Sequence, residues 1–134
     1  MPPVVVDTCV LSALFKGGPL AASYRPHVSG RRLVISFMTL AELYRWPLER
    51  GWGKRRRGNL EAFVDRRCVV YPFNRALCRQ WAVTNDQARH NGRPIQVADA
   101  WIAATALLHG IPLVTHNRRH FEVLEPELSL ITEA

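Results

Sequence analysis

Asp7, Glu42 and Asp99 stand where short apolar runs give way to helical patterns. Asp7 closes the apolar run of VVVDTCVLSALF, Glu42 follows that of VISFMTLAEL, and Asp99 lies in PIQVADAWIAATALLHG. Carboxylates are hard oxygen donors, the kind that suits Mg²⁺ or Mn²⁺. If the runs are strands of an open parallel sheet, the crevice beyond their carboxyl ends is the usual place for a site. Acids far apart in sequence then meet there and repel one another, so they need a cation. An acidic cluster in a chain of formal charge +7 suggests a metal site that works on a polyanion.

Each acid also has a plain structural use. Asp7 can N-cap the helix that follows it. Thr39-Leu40-Ala41-Glu42 fits the capping-box pattern, in which Glu42 bonds back to the backbone of Thr39. Asp99 falls in the first turn of a helix, where the macrodipole favours an acid. The joint placement at one sheet edge is what tips the reading toward function. Asp99 is the hardest to explain otherwise. Its helix, VADAWIAATALL, carries no other charge, and a buried carboxylate is costly unless paired or metal-bound.

The elements that must position these groups can be read from the pattern. Val4 to Val6 is a continuous apolar run, as expected of a buried parallel strand. Helices are expected near Thr8 to Phe15, ending at Gly17 and Gly18, and near Ala21 to Val28. Leu33 to Ser36 reads as a strand and Thr39 to Arg50 as a helix, with Pro47 weakening its last turn. Lys54 to Arg66 is a helix with Leu60, Phe63 and Val64 as its apolar stripe, and Val69 to Tyr71 is a strand. Arg75 to His90 turns Leu77, Trp81 and Ala88 inward. Val97 to His109 is apolar nearly all round, so it reads as a buried helix closed by Gly110. Leu113 to Thr115 and Leu128 to Ile131 are strands, the last at an edge. Strands alternating with helices imply an α/β fold, a mainly parallel sheet covered on both faces. There is no repeat, linker or low-complexity segment, so residues 1–134 are expected to form one domain.

The bulk composition agrees with that expectation. The 134 residues are 48% hydrophobic, which excludes global disorder. Of the 18 basic residues only Lys16 and Lys54 are lysines, and the isoelectric point is about 10.2. Arginine's planar fork suits phosphate, so nucleic acid or an acidic protein is the expected partner. A GC-rich genome, writing Arg for Lys, accounts for part of the excess. Cys9, Cys68 and Cys78 have no CxxC spacing, which argues against a disulfide framework or a cysteine zinc site. The start lacks a signal peptide's charged and apolar regions, and no apolar stretch reaches spanning length. A cytoplasmic protein with reduced thiols, away from membranes, is the expectation.

Three segments carry a family resemblance: VVVDTCVLSALF, ISFMTLAEL and PIQVADAWIAATALLHGIPLVTHNRRHF. Through them the chain resembles, over nearly its full length, the PIN domain of the VapC toxin type. The last segment is the most specific, because acid, small-residue helix and strand-Thr-x-Asn ending occur in order. The resemblance implies a three-layer α/β/α fold and a metal-dependent ribonuclease, the toxin of a toxin–antitoxin pair. It further implies a homodimer held inactive by a cognate antitoxin. By resemblance, Asp7, Glu42 and Asp99 match the metal-binding acids, with Mg²⁺ as cofactor and Mn²⁺ as its substitute. Asn117 is a further catalytic candidate. Thr8 and Ser12 match polar positions beside the first acid, and Thr115 matches a hydroxyl that steadies the site.

The family often carries a fourth acid in T-x-[DN]-x-x-D-F, whereas this chain reads Thr115-His116-Asn117-Arg118-Arg119-His120-Phe121. Asn117 keeps a carbonyl oxygen but loses a charge, so a second metal should bind more weakly. His120 stands where an Asp is common. It can be a proton shuttle or bias the site toward Mn²⁺, but the sequence reading places it, like His116, in a loop or helix start outside the ligand shell. The implied chemistry is phosphodiester hydrolysis by a metal-activated water, leaving a 5′-phosphate and a 3′-hydroxyl. No nucleophilic side chain is needed, so Cys9 reads as a small packed residue.

Arg118 and Arg119, beside the expected site, and Arg55 and Arg56, in the run Lys54 to Arg57, are the RNA-contact candidates. The run also reads as a solvated helix face. Trp46 and Trp52 read as core or interface residues, with base stacking as the functional alternative. The rival to the nuclease reading is a weakly active or inactive PIN-fold module that binds RNA or an antitoxin. A phosphatase of the haloacid dehalogenase class would want D-x-D, which Asp7-Thr8-Cys9 does not supply. A DNA-directed nuclease would show the same acids.

Overall fold

The computed structural model describes residues 1–134. In chain order the elements are β1 (Val4–Val6), α1 (Thr8–Lys16), α2 (Pro19–Val28), β2 (Leu33–Ser36), α3 (Phe37–Arg50) and α4 (Lys54–Arg67). Then come β3 (Cys68–Tyr71), α5 (Arg75–His90), α6 (Val97–His109), β4 (Leu113–Val114), the short α7 (Arg118–Phe121), a 3₁₀ turn (Glu122–Leu124) and β5 (Leu130–Ile131). The five strands form one sheet in the order β3-β2-β1-β4-β5. Every pairing is parallel, with Val4 opposite Leu33 and Val5 opposite both Val34 and Leu113. The α/β expectation therefore holds, and the last strand is at an edge as expected.

The side-chain period of a strand divides the core into two layers. Val4, Val6, Leu33, Ile35 and Val114 point to one face, where they meet Val10 and Leu11 of α1, Tyr24 and Val28 of α2, Leu43 of α3 and Leu60 of α4. Val5, Val34 and Leu113 point to the other, against Ala88 of α5 and Ala100, Ala103 and Ala106 of α6. Alanine at these α6 positions lets the helix backbone lie close to the sheet. The helix is buried through most of its length, from Ala100 to Ala106 apart from Trp101, and Gly110 closes it in the left-handed conformation at φ 64°.

Strand order fixes where a site can form. The chain runs outward from β1 through β2 to β3, then returns to the other side of β1 for β4 and β5. The carboxyl ends of β1 and β4 therefore flank a topological switch point, the crevice where open α/β sheets bind ligands. Asp7 follows β1 and Thr115 follows β4.

One boundary differs from the expected pattern in a way that matters. Helix α3 begins at Phe37, not Thr39, because Ser36 caps it by accepting from the Met38 N–H at 3.1 Å. The helix then continues through Pro47 to Arg50 before Gly51 ends it in the left-handed conformation. No helix of the fold is long and apolar enough to cross a membrane.

Tyr24 ties the end of the chain to the β4 loop. Its ring is fully buried. Its hydroxyl accepts from the Glu133 N–H at 2.9 Å and lies 2.8 Å from His116 Nδ1 and 3.2 Å from the Thr115 carbonyl. Tyr24→Phe keeps the ring but strips partners from buried polar groups. It is expected to lower stability by about 1–2 kcal/mol, read as a lower urea midpoint with an unchanged slope.

Candidate active site

A cleft of about 430 Å³ opens at the switch point, and Asp7, Thr8, Ser12, Glu42, Asp99 and Asn117 all line it. Cys9, Trp46, Arg50, Gln96 and His120 are also in its walls. Groups as far apart in sequence as Asp7 and His120 are thus gathered by β1, α1, α3, α6 and the segment after β4.

Asp7 is the deepest acid, 3% exposed. It N-caps α1, with Oδ1 accepting from the Val10 N–H at 2.9 Å. Its other oxygen, Oδ2, accepts from the Thr115 hydroxyl at 2.5 Å. Thr115 Oγ1 in turn accepts from the Asn117 N–H at 3.0 Å. One hydroxyl thus links the first acid to the loop that carries Asn117. The capping role and the place in the cleft coexist in one side chain. Burial pushes the Asp7 carboxyl up to about 6, against the opposing pull of the Thr115 and Val10 bonds, with Asp99 and Glu42 adding repulsion.

Glu42 does not close a capping box. Thr39 is the third residue of α3, whose cap is Ser36, so Thr39 is not the N-cap that a capping box requires. Instead the Thr8 hydroxyl donates to Glu42 Oε1 at 2.6 Å, and its oxygen lies 3.2 Å from the Thr39 hydroxyl. These bonds join the first turn of α1 to α3 across the cleft.

Asp99 sits in the first turn of α6, half-buried. Its Oδ2 lies 3.1 Å from His120 Nδ1. Burial raises the Asp99 carboxyl, His120 opposes that shift, and Glu42 adds to it. His120, expected in a loop or helix start outside the ligand shell, is seated in the cleft against Asp99. A short helical turn after Asn117 makes the difference, because it swings position 120 back over the start of α6. His116, by contrast, turns toward Tyr24. Asn117 faces the cleft with no protein group bonding its side-chain amide.

The cleft walls include Arg50 and Gln96, to which the sequence pattern assigns no role. Trp46 and Arg50 follow Glu42 at i+4 and i+8 in one helix, a spacing that keeps all three on one face. That periodicity was the available signal. The basic candidates lie outside the acid cleft. Arg119 lines an adjoining hollow with Asp99 and His120. Arg118 faces Glu122 at 3.8 Å and Glu125 at 3.6 Å. Arg55 and Arg56 border a separate hollow with Lys16. Cys9 is a free thiol pushed up by burial and by Asp7, which makes it a poor nucleophile.

The donor set fits a divalent cation of a particular kind. The acids share one cleft and feel one another's charge, yet no three His, Cys, Asp or Glu side chains converge tightly enough to chelate one ion together. Mg²⁺ dehydrates reluctantly and is commonly held by one or two carboxylates, with waters filling the rest. The cleft, of about 430 Å³, has room for such a hydrated ion beside its carboxylates.

The family model described as PIN domain matches residues 4–125. The chain is 31% identical to "Ribonuclease VapC1" of Haemophilus influenzae over 120 residues, covering 88% of this chain and 89% of that protein. Among solved structures, VapBC2 from Rickettsia felis bound to a promoter DNA fragment superposes with a TM-score of 0.82 at 19% identity, covering both chains fully. VapBC-1 from nontypeable Haemophilus influenzae superposes with a TM-score of 0.76 at 28% identity, over 98% of each chain.

The buried acid has a consequence for stability. The folded form holds the Asp7 proton up to about pH 6, whereas the carboxyl ordinarily releases it near 3.8. Its contribution is therefore full below pH 3.8 and is lost as pH rises through 6, a change of about 3 kcal/mol at about 1.4 kcal/mol per unit. In EDTA, wild type should lose stability relative to Asp7→Asn between about pH 4 and pH 6.5, with a constant gap above. Mg²⁺ added at pH 7 should recover part of the loss for wild type alone. Thermal melts across that range check both, and a pH-independent gap would show that Asp7 ionises freely in the fold.

Proposed function

Because the chain belongs to the PIN domain family, whose VapC ribonucleases it matches over most of its length, we propose that this cleft hydrolyses RNA phosphodiester bonds with a divalent cation. The chain is an endoribonuclease toxin of the VapC type. The observation that carries the site assignment is the convergence of Asp7, Glu42 and Asp99 on the switch-point cleft. Residues 1–134 act as one domain in this reading.

Asp7, Glu42 and Asp99 would hold Mg²⁺, or Mn²⁺ in its place, directly or through its waters. Bound there, the ion supplies an acidified water and polarises a phosphoryl oxygen. The chain's own residues prepare the rest. The Thr115 hydroxyl and the Val10 N–H fix the Asp7 carboxylate in one orientation, and Thr8 does the same for Glu42. The Asn117 amide, free of protein partners and facing the cleft, orients substrate or water by hydrogen bonding. His120 holds Asp99 in position through Nδ1, a place where many relatives of this type carry an acid. The imidazole leaves the cleft with one carboxylate fewer, which favours a single tightly held ion over a pair. Ser12 forms part of the floor.

The structural relatives named above are VapBC assemblies, so a cognate antitoxin is the protein partner proposed here, with a homodimer as the assembled form. The acidic cleft is the feature a basic antitoxin side chain would cap.

Cleavage of a panel of structured and single-stranded RNAs tests the reading. Wild-type protein freed of antitoxin should cut in Mg²⁺ or Mn²⁺ and stop in EDTA, and Asp99→Asn should not cut. Thr115→Val, which removes the hydroxyl that bonds both Asp7 and the Asn117 N–H, should reduce the rate by about 10–100-fold. A folded wild type that binds RNA but cuts none of the panel in either metal would leave a binding module as the answer.

A further inference from the structure

The acid cleft repels the polyanion it is proposed to cut. Affinity for RNA must therefore come from cations beside the cleft, and the structure shows where they are. Trp46 and Arg50 form one wall of the cleft. The Trp46 indole carries two cations, Arg50 at 4.9 Å and Lys16 Nζ at 5.5 Å from the ring centre. Lys16 also borders the next hollow, which Phe15, Arg55, Arg56 and Asn59 complete. There Arg56 lies 4.0 Å over the Trp52 ring, and Phe15 sits beside that indole with ring centres 6.2 Å apart. Lys16 thus lies between the two hollows, reaching the Trp46 wall of the acid cleft from the hollow that holds Arg55 and Arg56.

We propose that single-stranded RNA flanking the scissile bond runs from the acid cleft along a basic shelf of Lys16, Arg50, Arg55 and Arg56, with Trp46 and Trp52 as the platforms that hold Lys16, Arg50 and Arg56. The proposal rests on the nuclease reading of the cleft. All four cations are exposed, and none is within ion-pair distance of a carboxylate. Their charge is therefore available to a ligand. On the other flank the charge is partly spent, because Arg93 pairs with Glu122 at 2.8 Å and Arg118 faces Glu122 and Glu125.

The indoles explain why the shelf suits a nucleic acid. A guanidinium lying over an indole keeps its plane fixed while its edge N–H groups stay free to fork a phosphate. Its outer face remains open for a base to stack on. Less side-chain freedom is then lost on binding than for an unsupported arginine. The indole faces themselves are covered by these cations, so Trp46 and Trp52 act through the cations they support. An acidic peptide would also be attracted to the shelf, but its start at the Trp46 wall of a cleft that must receive a phosphodiester favours RNA.

The test measures binding without cleavage. Asp99→Asn protein is titrated with a fluorescein-labelled single-stranded RNA of mixed sequence, by anisotropy, over a series of salt concentrations. Lys16→Gln, Arg50→Gln and Arg56→Gln are combined in that background. A control combines Arg32→Gln, Arg66→Gln and Arg79→Gln, which removes the same charge from exposed positions elsewhere. The shelf variant should bind at least about tenfold more weakly at low salt, with the slope of log K against log salt reduced by about 2, near 0.7 per lost phosphate contact on a single strand. The control should stay within about twofold of its parent. Arg50→Lys with Arg56→Lys should keep the slope yet weaken binding, because charge remains while the stacked plane is lost.

Equal losses in shelf and control variants would overturn the proposal, as would a parent that binds no RNA at low salt. A shelf variant that binds RNA like its parent but no longer retains a co-expressed antitoxin would assign the surface to the protein partner and also overturn it. Wild-type cleavage is scored separately, so a failed shelf leaves the nuclease reading standing. A failed cleavage assay with an intact shelf effect leaves RNA binding standing.

Discussion

The constraint on which the site depends is the burial of the Asp7 carboxylate at the switch point of the sheet. A charge taken out of water needs compensation close by, and here two neutral donors supply part of it. The Val10 N–H comes from the first turn of α1, so the helix that follows β1 is oriented by the same acid that faces the cleft. The Thr115 hydroxyl comes from the end of β4, so the strand across the switch point is tied to it as well. Neither donor carries a charge. The carboxyl therefore stays raised to about 6 with Asp99 and Glu42 adding their repulsion. The architecture arranges acids that are unfavourable together and compensates each with hydrogen bonds rather than with arginine. A neighbouring guanidinium would stabilise the empty site but would compete with a metal ion for the same oxygens.

That arrangement also explains the division of charge over the molecule. The chain carries 18 basic and 11 acidic residues, yet the acids that converge in the cleft are kept clear of arginine pairing. Arg45, Arg89, Arg93 and Arg118 pair instead with Glu49, Asp86, Glu122 and Glu125 on the surface. Exposed pairs of this kind contribute little stability. Their effect is to neutralise parts of the surface locally. Lys16, Arg50, Arg55 and Arg56 are left unneutralised beside the cleft, so the net positive charge has a direction.

Much of this was legible in the sequence because the physics behind it is local. An apolar run followed by a helical pattern recurs wherever a buried parallel strand ends at the carboxyl edge, so β1 with the helix after it, β2 and β4 could be placed closely. Asp7 was legible as both cap and site residue, and the structure makes it both. The start of α3 was not. Ser36 and Thr39 are each competent caps, and only the buried end of β2 decides that the chain turns at Ser36. The expected bond from Glu42 to its own helix gave way to one from Thr8, a partner 34 positions away. Arg50 and Gln96 in the cleft wall were missed for a similar reason. Spacing says which residues share a helix face with Glu42, but not which face the sheet will leave open.

His120 shows the limit most clearly. Reading outward along the chain, position 120 lies beyond β4, past the end of anything the sheet holds. The turn that begins at Asn117 brings it back over the amino end of α6, and Phe121, fully inside the core, anchors that return. Because Phe121 is packed against α6 and β4 neighbours, its preceding residue has little freedom to point elsewhere. The contact between His120 and Asp99 is therefore set by an apolar side chain one position away. An acid at position 120 would inherit the same placement and add to the repulsion already present. An imidazole accepts that position with an attractive partner, so this chain lowers the negative charge of its cleft without altering the backbone that builds it.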